Sequence, residues 1–152
     1  MNSRLTVAIH IMGMIAWIER DQGRAATSAE LAESAGTHEV FLRGILSALG
    51  KAGLVSSRRG RGGGSELARP ATEITLAQVY HAIRKDEGPL LGRHPGQTGA
   101  NCLAAPVIEE YLGDVYAEAE AQLVASLSDR TVDAMSRHVV DTIRARVTAR
   151  AG

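Results

Sequence analysis

The sequence predicts a mainly α-helical fold that carries one small β-hairpin and continues into a long helix. Three observations predict it. Two short amphipathic segments are separated by a tight turn at Gly36. Directly after them, a stretch rich in arginine and glycine, Arg58 to Gly64, lies between two short strand-like runs. Further on, apolar residues recur at helical spacing from Val107 to Leu123. Composition agrees. Hydrophobic residues make up 45% of the 152 residues but aromatics only 3%, so Ala, Leu, Val and Ile must fill the core. That favours packed helices over a sandwich, because strands prefer β-branched and aromatic residues.

Taken in order, the first helix is expected from Arg4 to Glu19, apolar on most faces (Leu5, Ala8, Ile9, Met12, Ile15, Ala16) and therefore central. Its apolar run, Leu5 to Ile18, is 14 residues long, short of the roughly 20 needed to span a bilayer. No small-x-small cleavage site follows it, so a buried helix is expected here and no membrane partner. Thr27-Ser28-Ala29-Glu30 reads as a capping box opening a second helix that stops at Gly36. Thr37 is then expected to cap a third helix to about Ala52, with Leu42, Ile45, Leu46 and Leu49 on its buried face. Leu54–Ser57 and Ser65–Ala68 read as strands joined by a turn in which four of the five residues from Gly60 to Gly64 are glycine. Thr75 caps a fourth helix to about Lys85, with Val79, Tyr80 and Ile83 inward. Glycines and prolines break any pattern from Asp86 to Asn101. A long helix, about Leu103 to Ser126, and a last one, Arg130 to Val147, complete the chain.

A helix-turn-helix followed by a hairpin with a basic, glycine-rich tip is the pattern of a winged helix. The net charge of +0 argues at first against a nucleic-acid partner. The distribution reverses this. Between His38 and Pro70 stand Arg43, Lys51, Arg58, Arg59, Arg61 and Arg69 against Glu39 and Glu66, and a DNA-binding face needs a local patch, not a basic average. His38, Glu39 and Arg43 fall on the side of the third helix away from its apolar face, where arginine can grip guanine and glutamate can accept from cytosine. The bland reading is a solvated face. Arg58, Arg59 and Arg61, clustered on one hairpin, repel one another unless a polyanion sits between them. A narrow minor groove supplies such a site; the alternative is a solvated loop. The glycine run lacks the Gly-Lys-Ser/Thr ending of a nucleotide-binding loop. No catalytic constellation appears, so an enzyme is not expected. Cys102 is the only cysteine. At the start of a helix it is a candidate redox-sensing thiol, and otherwise a small hydrophobe.

The stretch Phe41-Leu42, Ile45-Leu46, Leu49, Ala52-Gly53-Leu54-Val55, Ser57, Arg59-Gly60, Gly63-Gly64, Leu67-Ala68-Arg69-Pro70 and Ile74-Thr75-Leu76 resembles the signature of the Rrf2 family of winged-helix transcriptional regulators, the group around IscR, NsrR and CymR. The resemblance implies a winged helix-turn-helix domain over 1–85, a connecting or sensor loop over 86–102, and a dimerisation helix with a C-terminal helix over 103–152. It implies a cytoplasmic homodimer, joined through helix 103–126, that represses from a partly palindromic operator in double-stranded DNA. His38, Val40, Arg43 and Arg59 would then reach DNA. Two positions depart from the family pattern. Ser65 stands where an aromatic is common, which predicts a less firmly packed wing. Cluster-binding members carry three cysteines before the long helix, and Cys102 stands alone. Such clusters take four protein ligands as a rule, so no [2Fe–2S] cofactor is expected and the chain resembles the cluster-free, YwnA-like branch. A redox or small-molecule effector is the expected signal. The competing function is a winged-helix protein-interaction module without sequence-specific DNA binding.

Overall fold

The computed structural model describes residues 3–85 and 102–151. Helix α1 (Ser3–Gln22) is followed by α2 (Ser28–Ala35) and α3 (Glu39–Lys51), then strands β1 (Val55–Arg58) and β2 (Gly64–Leu67). A single 3-10 turn (Ala71–Glu73) leads into α4 (Leu76–Arg84); α5 (Ala104–Ser128) and α6 (Val132–Ala151) complete the described chain. Among the described residues the fold is thus mainly helical with one two-stranded antiparallel sheet, as the sequence predicts. Among the described residues no helix is long and apolar enough to cross a membrane.

Helix α1 is the axle of the core. Ala8, Ile11, Met12 and Ile15 are wholly buried, and each large side chain so placed contributes about 1.5–3 kcal/mol of transfer free energy. Against them pack Leu31 of α2, Leu42, Ile45 and Leu49 of α3, Leu54, Val55, and Ile74, Val79 and Ile83 from the α4 region. Helix α6 returns to this core. Its Val132 is fully buried, and Ser136 donates to the Gly13 carbonyl of α1 at 3.2 Å. Backbone bonds Leu76 N–H to Arg130 O and Val132 N–H to Ile74 O, both 2.8 Å, sew the start of α6 to the entrance of α4.

The helix-turn-helix is built by its caps. Thr27 and Glu30 form the expected capping box at the start of α2. At its end Gly36 takes the left-handed conformation (φ 58°, ψ 40°). Gly36 N–H then reaches Glu33 O and Thr37 N–H reaches Ala32 O, so the last turn's carbonyls are satisfied before the chain reverses. This corrects one expectation. Thr37 is occupied in closing α2, and the residue that caps α3 is His38, in extended conformation and without a side-chain cap bond.

Candidate nucleic-acid interface

Helix α3 buries Leu42, Ile45 and Leu49, which turns the opposite face outward. His38, Glu39, Val40 and Arg43 are all exposed at its N-terminal end. Val40 is 77% exposed. Apolar side chains at such a site suit a thymine methyl group in a major groove. His38 spends no hydrogen bond on capping, so its ring is available to a partner.

The hairpin pairs Val55 with Leu67, Ser56 with Glu66, Ser57 with Ser65 and Arg58 with Gly64. Its tip is therefore the five residues Arg59 to Gly63. The three wing arginines are not equivalent. Arg58 forms an ion pair with Glu66 at 3.2 Å, two residues along on the opposite strand and on the same face. Arg59 and Arg61, both exposed, lie on the tip beyond the paired strands.

The outer edge of β2 is fastened to the body of the domain. Ala26 and Ser65 exchange two backbone hydrogen bonds, Ala26 N–H to Ser65 O at 3.0 Å and Ser65 N–H to Ala26 O at 2.8 Å. Ser65 is buried. The serine that predicted a loosely packed wing is thus buried and tied by its backbone to Ala26. Farther along, the Glu19 carboxylate, on the last turn of α1, accepts the Leu67 N–H at 2.6 Å. Burial pushes the Glu19 carboxyl above its usual range; the Leu67 amide pulls it partly back, and neighbouring Glu66 raises it again.

Helix α3 and the wing face a common open cleft of about 440 Å³. Arg43, Ser47, Gly50 and Lys51 line it from α3, Ser57, Gly64 and Ser65 from the wing, and Ser28 from the start of α2. The structure therefore brings Arg43 to the root of the hairpin that carries Arg59 and Arg61. Lys51 and the hydroxyls of Ser28, Ser47 and Ser57 were not singled out from the sequence as site residues. Single serines carry no periodic signal, and the place of Lys51 emerges only when β1 folds back beside α3.

Cys102 is exposed, two residues ahead of α5. The remainder of the expected sensor loop lies outside the described residues. Among the described residues no three His, Cys, Asp or Glu side chains converge to hold a metal ion. With one cysteine in the whole sequence, the thiolate donors do not fit an iron–sulfur cluster bound in the usual four-ligand way.

Comparison with known proteins bears on the whole chain. A family described as Rrf2, iron-dependent transcriptional regulator, matches residues 1–138. The chain is 32% identical over 139 residues to the HTH-type transcriptional regulator YwnA of Bacillus subtilis, covering 91% of this chain and 98% of that one. Among solved structures, the IscR of T. potens superposes with a TM-score of 0.65 at 20% identity, covering 91% of this chain and 87% of the other. The cysteine regulator CymR of B. subtilis superposes with a TM-score of 0.60 at 21% identity, over 91% and 96% of the two chains.

Proposed function

Because the chain belongs to the Rrf2 family of DNA-binding transcriptional regulators, we propose that it acts as a homodimer on a partly palindromic operator, placing α3 in the major groove and the wing in an adjacent minor groove. The observation that carries this reading is the shared cleft between α3 and the wing. It sets Arg43 and Lys51 beside a hairpin whose tip presents Arg59 and Arg61. In the groove, His38, Glu39, Val40 and Arg43 meet base edges. Arg59 enters the minor groove, where narrow A·T stretches concentrate negative potential. Arg61, with Arg58 while still tethered to Glu66, neutralises phosphates. Occupancy of the operator excludes other proteins from it, so the regulation we propose is repression.

The family consists of transcriptional regulators, not enzymes, and the donor set described above leads us to propose a cluster-free member. Its signal then comes from a small effector or from the exposed Cys102 thiol. We place it in the cytoplasm, with the DNA it reads.

The test is a gel-shift titration with duplexes selected from a random pool. Arg59→Ala is expected to weaken binding about ten-fold and to reduce the slope of log affinity against log salt by about one, with the thermal melt unchanged. Undiminished binding by Arg59→Ala would remove the wing from the interface. Failure of the unaltered protein to select any duplex would favour a protein-interaction module instead.

A further inference from the structure

The wing has no core of its own: four residues pair with four, and an isolated hairpin of that size is at best marginally stable in water. Its direction is therefore set by what holds its root. On the outer edge of β2 the outward amides are those of Ser65 and Leu67, and both are satisfied by the domain body, the first by the Ala26 carbonyl and the second by Glu19. The Ala26 bonds run between backbone atoms and draw on no side-chain group. The Glu19 bond depends on one side chain, and it joins the end of the central helix to the last residue of the strand. A carboxylate accepting a backbone N–H at 2.6 Å is a charge-assisted bond, about twice as strong as a neutral one.

We propose that Glu19 is a positioning residue for DNA recognition: it fixes the root of the wing against α1 and so sets where Arg59 stands relative to α3. The proposal rests on the reading of the wing as a DNA contact. Without Glu19 the outer edge of β2 keeps only the Ser65–Ala26 bridge, with Val55 and Leu67 packed at the root, and the hairpin beyond them can swing. Glu66 holds Arg58 along the strand, which leaves Arg59 as the first arginine of the tip.

The experiment is a double-mutant cycle between Glu19→Ala and Arg59→Ala, read as operator affinity, with amide exchange at Leu67 followed in the free protein. If Glu19 acts through the wing, Glu19→Ala lowers affinity roughly ten-fold when Arg59 is present and less than about two-fold when it is not, because the two losses share one contact. Leu67 exchange quickens in Glu19→Ala. Glu19→Gln, whose amide oxygen still accepts, restores most of the affinity. Should Glu19→Ala fail to fold, Glu19→Asp, one methylene shorter, enters the same cycle. Additive losses, or no effect of Glu19 with Arg59 present, overturn the positioning role and leave the wing contact standing. An Arg59→Ala protein that binds as well as the original overturns both.

Discussion

Glu30 shows how much of the helix-turn-helix depends on one side chain. Its carboxylate accepts both guanidinium ends of Arg24, at 2.5 and 3.0 Å, and also the Thr27 N–H at 2.9 Å and hydroxyl at 2.8 Å. The Arg24 bonds first, and the two from Thr27 after them, hold its pKa down from an ordinary 4.5 to about 2. The folded state therefore releases this proton more readily than the unfolded chain. Its stabilising contribution is complete above the unfolded pKa and is lost as the pH falls through the folded one. Both partners are more than a third exposed, so solvent screens the pair and the effect is modest. Glu30→Gln is expected to melt at lower temperature than the original protein at pH 7, with the gap closing between about pH 5 and pH 2. Melts recorded across that range check it; a gap that is constant with pH would mean that the charge on Glu30 plays no part.

At the scale of the element, the wing was legible as a hairpin, and its attachment was not. The glycine run and the short strand-like runs on either side of it located both strands to within one residue. The Ala26–Ser65 bridge and the Glu19–Leu67 bond join residues 39 and 48 positions apart, and single long-range bonds leave no periodicity to read. For the same reason Ser65 read as a weakness, although its backbone lies close enough to Ala26 to exchange two hydrogen bonds. Gly64 is held to the same closeness: a Cβ there would lie 2.3 Å from the Ala26 carbonyl oxygen, a backbone atom that cannot swing aside. Gly64→Ala is accordingly expected to cost roughly 1–3 kcal/mol through overpacking and to loosen the wing. Gly44, in the interior of α3, meets nothing within 4 Å. There the same substitution is expected to stabilise by about 0.5–1 kcal/mol. Urea denaturation of the two variants side by side checks the contrast, which disappears if β2 can slide away from Ala26 without loss.

For the molecule as a whole, the long helix presents a problem that one chain does not solve. α5 contains 25 residues, none of them buried, and at 1.5 Å per residue it runs roughly 37 Å. One side meets α4, where the Tyr80 hydroxyl donates to Glu120 at 2.6 Å. The other side leaves Val107, Ile108 and Tyr111 between 54% and 70% exposed, with Val115 following at the next turn. The helical spacing made this stripe visible in the sequence, since it exceeds what a small winged-helix core can cover. The same spacing could not show that α6 turns back to α1, because the contacts of Val132 and Ser136 depend on how the chain reverses after Ser128. Exposed apolar surface of this extent marks an interaction site, and two copies of the helix laid together could approach the ~800 Å² per partner of an ordinary stable interface. A second copy also gives a partly palindromic operator two reading heads, each half-site raising the effective concentration of the other. We therefore expect the protein to sediment as a dimer at micromolar concentration. The double variant Ile108→Glu, Tyr111→Glu should sediment as a monomer with unchanged circular dichroism, because neither side chain belongs to the core of its own chain. Its operator affinity should fall by about 10²–10⁴-fold, the loss expected when linked sites become independent. A double variant that remains dimeric, or an original protein that sediments as a monomer, would show that α5 covers its apolar stripe in some other way.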